Sequence, residues 1–242
     1  WGKRAKTYRA ALHERTDEDP FFLRVRGAVT KDSTVLDVGA GTGRHTLALA
    51  PHVARVTAVE PSPAMLAFLR EDAEAQALTN VFTVPSGWLA ADVAPADVVI
   101  CSHVLYPIAD VAPFVRKLAG SAKRRVFVYL RVDPLPTDMG LWSEFHGVPL
   151  QLQPTHMDLV NVLVQLGIMP DVEVGEHRFT WTFATLDEAV AQVRNSLCLR
   201  EDNDAASAKL RALLEQRLVP WPNGRLGPEI GSARSAIITW TP

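Results

Sequence analysis

A strand, a glycine-rich turn and a helix follow one another early in the sequence, and this succession constrains the fold more than any other feature. Residues 34–38, TVLDV, are a short apolar run with β-branched side chains, which is typical of a buried parallel strand. Glycine then recurs at Gly39, Gly41 and Gly43, where side chains would hinder close approach of a ligand. Residues 44–50 continue at helical spacing. The pattern predicts an α/β protein that binds a ligand where the strands of an open sheet end.

Charged residues around the turn narrow the choice of ligand. Asp37 would repel a pyrophosphate but favour a ligand with an ammonium or sulfonium group. Arg44 stands where a dinucleotide fingerprint has its third glycine. Glu60 ends a second strand, residues 55–59, and its carboxylate can accept both hydroxyls of a ribose. Nicotinamide and adenosyl ligands share that ribose.

Two segments together resemble the first two motifs of the class I S-adenosylmethionine-dependent methyltransferases. These are VLDVGAGTG at residues 35–43 and VEPSPAML at residues 59–66. The resemblance implies S-adenosyl-L-methionine as cofactor and S-adenosyl-L-homocysteine as product. It implies a Rossmann-like, doubly wound α/β sheet of seven mostly parallel strands with one antiparallel edge strand, plus helical insertions that form a cap. It covers residues 29–130 well and the rest by topology only.

The resemblance also implies which residues bind the cofactor. In that family the glycine turn lies against the methionyl part and the ribose, the acidic residue takes the ribose hydroxyls, and the next residues border the adenine. Carried over to this sequence, these are Asp37, Gly39, Ala40, Gly41, Gly43, Glu60, Pro61, Ser62 and Met65. For Met65, packing in the core on its helix is an alternative.

Two further parts of the adenosyl site are expected from the family pattern. After a third strand at residues 81–84 the family commonly has an acidic residue that binds the adenine amino group, and this sequence does not. Ser86 or a backbone carbonyl near Gly87 is expected to accept that bond, while Trp88 either stacks on the ring or packs in the core. The segment before the first motif often covers the cofactor, so Tyr8 is a candidate contact, with packing on the sheet as the alternative.

The fourth predicted strand, residues 97–101, should end at the same edge of the sheet as the glycine turn. This places Ser102, His103 and Tyr106 beside the reacting methyl group, with Ser102 and His103 as candidate cofactor contacts. Methyl transfer from a sulfonium relies on alignment and desolvation, so a catalytic residue is not mandatory. If the acceptor is a hydroxyl or a protonated amine, His103 is the expected base, and Tyr106 is the second candidate catalytic residue.

Residues 133–177, rich in proline and aromatic side chains, follow a fifth strand at residues 126–130. They are expected to close as a lid over the crevice at the carboxyl ends of the strands, where the glycine turn lies, and to hold a small, partly aromatic or apolar acceptor. The alternative is that these aromatic residues only attach the insertion to the sheet. The candidate substrate-binding residues are Tyr106, Arg131, Trp142 and His146.

We predict a single methyltransferase domain over residues 1–242. It comprises an N-terminal helical segment (1–29), a cofactor-binding core (30–132), and a substrate-side cap with the C-terminal strands (133–242). Within the last part, residues 178–183 alternate like a strand and residues 235–240 predict a terminal strand. The basic run at residues 123–125 is interpreted as a solvated turn before the fifth strand.

Composition restricts the partners and the location. The chain has 242 residues with 48% hydrophobic residues and a net charge of −2, so no global basic field indicates nucleic acid or an anionic membrane as partner. Two cysteines are too few for a disulfide framework, and no HExxH pattern indicates a metal site. We expect a cytoplasmic monomer or homodimer that binds a small-molecule acceptor, with no membrane span.

Three functions remain open from the sequence. The first is a small-molecule methyltransferase, with the methylated atom (O, N or C) undetermined. The second is an NAD(P)-dependent oxidoreductase on a related Rossmann fold, which Arg44 and Asp37 disfavour. The third is a protein that binds S-adenosylmethionine without transferring the methyl group.

Overall fold

The computed structural model describes residues 19–133, 140–178, 181–229 and 232–242. Tyr8, the candidate cofactor contact of the N-terminal segment, lies outside the described residues. The chain divides into two compact units. The first contains the described part of Trp1–Val132 with Pro154–Gly175 and Arg234–Pro242, and the second contains the described parts of Asp133–Gln153 and Glu176–Ala233. The predicted lid segment is therefore divided between the two units.

Helices and strands alternate through the first half of the chain, except that only a short 3₁₀ helix, Trp88–Ala90, separates the third and fourth strands. In order these are α1 (Pro20–Arg26), β1 (Thr34–Val38), α2 (Arg44–Leu49), β2 (Arg55–Val59), α3 (Pro63–Ala75), β3 (Val81–Val84), β4 (Ala96–Ser102), α4 (Val111–Ser121) and β5 (Ala122–Arg131). The second half contains α5 (Trp142–His146), α6 (His156–Gln165), β6 (Asp171–Arg178), α7 (Leu186–Ser196), α8 (Asp204–Arg217), β7 (Leu218–Pro220), β8 (Leu226–Pro228) and β9 (Ser232–Trp240). No helix among the described residues is long and apolar enough to span a membrane.

Among the described residues, seven strands form one sheet in the order β3-β2-β1-β4-β5-β9-β6. β1 is third in this order and pairs in parallel with β2 and β4, while β2 with β3 and β4 with β5 are also parallel pairs. β9 pairs antiparallel with β5, from Val126 opposite Trp240 to Arg131 opposite Ser235. The predicted mostly parallel, doubly wound sheet is confirmed. Its antiparallel strand, β9, is second from the edge and lies between β5 and the edge strand β6.

Both faces of the sheet are covered, which explains why its central strands have apolar residues at consecutive positions rather than only at alternate ones. Val35 of β1 packs with Phe21 of α1 on one face, and the next residue, Leu36, packs with Leu118 of α4 on the other. All four of Val35, Leu36, Phe21 and Leu118 are at most 1% exposed. Because both faces are buried and β1, β2 and β4 are parallel, the carboxyl ends of these strands meet at one edge of the sheet.

Two predicted boundaries were wrong. The basic run at residues 123–125 is part of β5 rather than a turn before it, because β5 begins at Ala122 and pairs there with Ala96 of β4. The strand predicted at residues 178–183 is also wrong in its described part, since Trp181 and Thr182 belong to no strand, while residues 179–180 lie outside the described residues. The chain instead forms β6 over Asp171–Arg178, and Phe183 forms an isolated bridge with Leu226.

The second unit has its own apolar core. Phe183 and Leu141 are fully buried there against residues of α7 and α8, such as Val193 and Leu214. The start of α7 is capped, since the Thr185 hydroxyl accepts a hydrogen bond from the backbone N–H of Glu188. The short hairpin of β7 and β8 had no predicted counterpart.

Candidate active site

The glycine turn links β1 to α2 with a backbone that only glycine adopts readily. Gly39, Gly41 and Gly43 have φ angles of 75°, 58° and 93°. The backbone N–H groups of Gly39 and Ala40 both donate to the carbonyl of Val59, at 2.8 and 3.1 Å. The turn therefore folds back onto the end of β2, beside Glu60.

Space as well as conformation selects glycine at Gly39. A Cβ atom there would lie 2.3 Å from a methyl carbon of Val104, in the segment after β4. We expect Gly39→Ala to lower the free energy of unfolding by about 1–3 kcal/mol, because it combines overpacking with a strained φ. Gly87→Ala is the matched control, since Gly87 has a φ of −66° and no atom within 4 Å of its added Cβ. Urea denaturation measures the free energy of unfolding of both variants. Equal losses in the two would show that neither space nor φ selects glycine at Gly39.

Glu60 connects the glycine turn to the start of α3. One of its carboxylate oxygens accepts from the backbone N–H of Gly41 at 3.0 Å, and the other accepts from that of Ser62 at 2.8 Å. The residue is only 6% exposed. Each carboxylate oxygen has a second lone pair, so a carboxylate held in this way can still accept a pair of ligand hydroxyls.

Asp37, the fourth residue of β1, is a buried carboxyl group. It is 2% exposed, and one of its oxygens accepts from the hydroxyl of Thr46 at 2.6 Å. The pKa of Asp37 is raised to about 7, chiefly by burial and also by the negative charge of Glu60, against the opposing effect of the hydrogen bonds with Thr46. A buried carboxyl group with a pKa near 7 favours a cation nearby, because the cation stabilises its ionised form.

The first three residues of α2 reach three different parts of the first unit. Arg44 forms an ion pair with Asp19 at 2.9 Å, His45 forms a hydrogen bond through Nε2 with the Ser102 hydroxyl at 3.1 Å, and Thr46 bonds Asp37. Ser102 is half-buried at the end of β4. These contacts attach the helix after the glycine turn to both strands that flank the crevice.

His45 is neutral in this environment. The residue is 5% exposed, and the Phe21 ring meets its imidazole edge-on with the ring centres 4.9 Å apart. Burial lowers the pKa of His45 to about 4, with Arg44 adding to the effect and Asp19 opposing it. Its Nδ1 atom lies 4.0 Å from a carboxylate oxygen of Asp19.

His103 directly follows β4 and adopts an unusual backbone. Its φ is 58°, a left-handed conformation that residues other than glycine rarely adopt and that occurs preferentially at functional sites. Its Nδ1 atom lies 2.8 Å from the Tyr106 hydroxyl, which also accepts from the backbone N–H of Arg131 at 2.9 Å. The Arg131 guanidinium lies over the Tyr106 ring, 5.2 Å from its centre. The structure therefore brings together three residues that the sequence predicted separately.

The other candidate cofactor residues differ in their surroundings. Ser62 caps α3, and Met65 is 3% exposed, so its packing role is present. Ser86 bonds the carbonyl of Gly87 at the surface. Trp88 is 5% exposed and its indole N–H donates to the carbonyl of Phe114, so the structure shows the core-packing alternative. Contact of these residues with an adenine stays a prediction.

Trp142 and His146, the candidates from the predicted lid, lie in the second unit. Their rings stack with centres 4.1 Å apart, and the His146 Nε2–H donates to the carbonyl of Leu197 at 2.8 Å. Both side chains therefore have structural contacts within their own unit. Their part in an acceptor site stays a prediction.

The sequence alone did not identify the residues that hold α2 against the strands beside the crevice. Asp19, His45 and Thr46 carry no local motif, and their roles depend on partners such as Ser102, which is 57 positions away from His45. The available signal was the polar sequence Arg-His-Thr at the start of a helix that is otherwise apolar.

Comparison with known proteins agrees with this geometry. Residues 35–124 match the family described as "Methyltransferase domain". An uncharacterised protein of Haemophilus influenzae is 30% identical over 146 residues, which are 60% of this chain and 54% of that protein. The chain thus spans about half the length of this curated relative.

Solved structures show the same fold at low sequence identity. A putative methyltransferase from Bacillus halodurans has a TM-score of 0.60 at 14% identity, covering 90% of this chain and 95% of the other. Magnesium protoporphyrin IX methyltransferase from Synechocystis, solved with bound S-adenosylhomocysteine, has a TM-score of 0.55 at 16% identity, covering 98% and 83%. Residues 35–124 thus match a methyltransferase domain, and the solved structures show that the chain has the fold of methyltransferases.

Proposed function

We propose that this protein transfers the methyl group of S-adenosylmethionine to a small-molecule acceptor. The observation that carries the proposal is the pair of buried carboxyl groups, Asp37 and Glu60, at the ends of two adjacent parallel strands. The glycine turn lies between them and is bonded to Glu60 through the N–H of Gly41. Such a site suits a ligand that has both ribose hydroxyls and a positive charge.

The residues of the crevice fit the cofactor in chemical type. Glu60 would hold the ribose hydroxyls, and Asp37 would favour the cationic methionyl end, whose sulfonium and ammonium groups stabilise the ionised carboxylate. The glycine amides, unhindered by side chains, would lie against the ligand between them. When bound, the cofactor supplies a methyl group on a good leaving group, so the protein has to align the acceptor and exclude water.

His103 is the proposed proton acceptor if the methylated atom carries a proton. In the tautomer whose Nδ1–H donates to the Tyr106 oxygen, Nε2 carries the lone pair and would be the atom that accepts the proton. The Arg131 N–H donates to the same oxygen and fixes the position of Tyr106. Tyr106 then orients the imidazole, which is the arrangement that general base catalysis requires.

Charge supports a small molecule over a nucleic acid as acceptor. The chain has a net charge of −2, and the basic run at residues 123–125 lies at the start of β5, at the opposite end of that strand from Arg131. A phosphate backbone would need several lysine or arginine contacts near the crevice.

Two experiments test the reaction itself. A thermal-shift series with S-adenosylmethionine, S-adenosylhomocysteine and NAD⁺ should show stabilisation by the first two only, because a bound ligand stabilises the folded state. Stabilisation by NAD⁺ alone would support the oxidoreductase alternative. A labelled methyl donor offered to a library of small acceptors should then give labelled product. Binding of the donor without any labelled product would support a non-catalytic binding protein.

Glu60→Gln is expected to weaken binding of S-adenosylhomocysteine about 10- to 100-fold, because it removes charge-assisted hydrogen bonds worth about 1.5–3 kcal/mol. A glutamine has one acceptor oxygen, so it also loses one of the two bonds to the backbone N–H groups of Gly41 and Ser62. Titration calorimetry on the folded variant provides the measurement.

Glu74→Gln is the matched control, since Glu74 is an exposed glutamate of α3. It makes the same change in net charge away from the crevice and should leave affinity unchanged. Equal affinity in the Glu60 variant and the wild type would remove Glu60 from the ribose site.

A further inference from the structure

A cleft lies in the first unit where β4 and β5 end, and the cofactor residues do not account for it. Three parts of the chain line it: the segment between β4 and α4, the end of β5, and the first turns of α6 with the two residues before them. Its volume is about 160 Å³. Its lining residues include Tyr106, Val111, Leu130, Thr155, Asp158 and Val162.

The size of the cleft matches one six-membered ring. An engineered protein cavity of about 150 Å³ with aliphatic and aromatic walls binds benzene. The cleft has a comparable volume, and its walls are mainly aliphatic, with Leu159 only 4% exposed at its base. Apolar walls with a few polar groups are typical of small-molecule sites.

The cleft adjoins the residues proposed for the transfer. Tyr106 lines it, and the hydroxyl of the same residue lies 2.8 Å from Nδ1 of His103. Leu130 lies one position beyond Tyr129, which is paired with Ser102 at the end of β4. The cleft therefore opens at the edge where the carboxyl ends of the strands meet, which is the edge where open α/β sheets bind ligands.

The charge at the cleft selects among ring compounds. Hydrogen bonds from the backbone N–H and the hydroxyl of Thr155 hold the pKa of the Asp158 carboxyl below its usual value, so Asp158 is ionised at neutral pH. Among the described residues that line the cleft, none is a lysine, an arginine or a histidine. Asp158 therefore favours a ring that carries an amine over one that carries a carboxylate, since the Arg131 guanidinium above the Tyr106 ring is not part of the cleft lining.

We propose that this cleft is the acceptor subsite and that it holds a single-ring compound with an amine substituent. The role of the cleft as an acceptor subsite rests on the proposed methyl transfer. Binding of the ring compound rests on the residues that line the cleft. Ring contact with the aliphatic wall supplies affinity, and Asp158 supplies preference for the positive charge.

Three probes of equal ring size test the proposal: benzylamine, benzyl alcohol and benzoate. Each is titrated into isotopically labelled protein saturated with S-adenosylhomocysteine, and amide chemical shifts are followed. Saturable shifts at residues that line the cleft are expected, with benzylamine binding more tightly than benzyl alcohol and benzoate most weakly. Benzoate binding as tightly as benzylamine, or shifts confined to other parts of the protein, would overturn the proposal.

Val162→Phe should fill the cleft and abolish the saturable shifts from benzylamine. Val164→Phe is its matched control, because Val164 lies two residues further along α6, is 49% exposed and does not line the cleft. Undiminished benzylamine binding in folded Val162→Phe would overturn the site.

Asp158→Asn tests the charge without filling the space and covers the case in which Val162→Phe does not fold. It should weaken benzylamine about three- to fivefold, as expected for an exposed ion pair, and leave benzyl alcohol unchanged. Equal benzylamine affinity in this variant would overturn the amine preference. Affinity for S-adenosylhomocysteine is measured separately, so failure of the ring site and failure of cofactor binding are distinguished.

Discussion

Replacing Asp37 with asparagine is expected to make the folded protein more stable at neutral pH and its cofactor site weaker. Burial raises the pKa of Asp37 to about 7, against an ordinary value near 3.8. Ionising this buried group costs stability, and the full cost is about 4 kcal/mol when the pH is well above 7. Asparagine keeps an oxygen to accept from Thr46 but never carries the charge.

The sign of this pH dependence follows from the direction of the shift. Because the folded-state pKa is raised, Asp37 is neutral in both the folded and the unfolded state below about pH 4 and does not lower the free energy of unfolding there. That free energy decreases as the pH rises from about 4 through about 7. Asp37→Asn should therefore gain most stability over the wild type near pH 8 and almost none near pH 4. Urea denaturation at both pH values measures the difference.

Cofactor affinity should change in the opposite direction. A cationic ligand binds the ionised form of Asp37, so affinity of the wild type for S-adenosylmethionine should increase as the pH rises through about 7. Asp37→Asn should bind the cofactor about 10- to 100-fold more weakly and lose that pH dependence. A variant that becomes more stable yet binds with unchanged affinity would show that Asp37 does not face the ligand.

The glycine turn and its contact with Glu60 were predictable because their signal is local. A strand, three glycines and a helix follow one another within 16 residues, and the backbone of such a unit has few ways to fold. The positive φ angles of Gly39, Gly41 and Gly43 and the position of Glu60 beside them follow from that pattern. The order of the parallel strands follows from the same fold family.

The supporting contacts were not predictable because they join distant parts of the chain. Nothing near Arg44 or His45 in the sequence indicates Asp19 or Ser102 as a partner. The position of β6 failed for another reason. Its residues Val172 and Val174 alternate correctly but remain 42% and 49% exposed, whereas the more apolar Phe183 belongs to the core of the second unit. Apolar alternation marked the wrong segment, because the edge strand buries little.

His45 should make the protein lose stability in mild acid, in opposition to Asp37. Burial lowers the pKa of His45 to about 4, against an ordinary value of 6.5. The folded state therefore resists a proton that the unfolded chain accepts, and the stability present above pH 6.5 is lost as the pH falls towards 4. The size of this loss is about 3 kcal/mol. Asp19 and Arg44 face the imidazole, and burial outweighs the attraction of Asp19.

Because the two groups act in opposite directions over nearly the same pH range, their effects should largely cancel in the wild type. His45→Gln removes the acid-sensitive group but keeps a polar partner for Ser102, so this variant should become more stable relative to the wild type as the pH falls from 6.5 to 4.5. Asp37→Asn should become less stable relative to the wild type over that range.

The double variant tests whether the two groups titrate independently. If they do, the change that each substitution makes in the free energy of unfolding should add at every pH from 4.5 to 7.5. The measurement is a urea denaturation series on the four proteins, compared as differences so that other titrating groups cancel. If His45→Gln follows the wild type at all pH values, His45 is not held neutral by burial. The compensation between the buried carboxyl and the buried imidazole then has no basis.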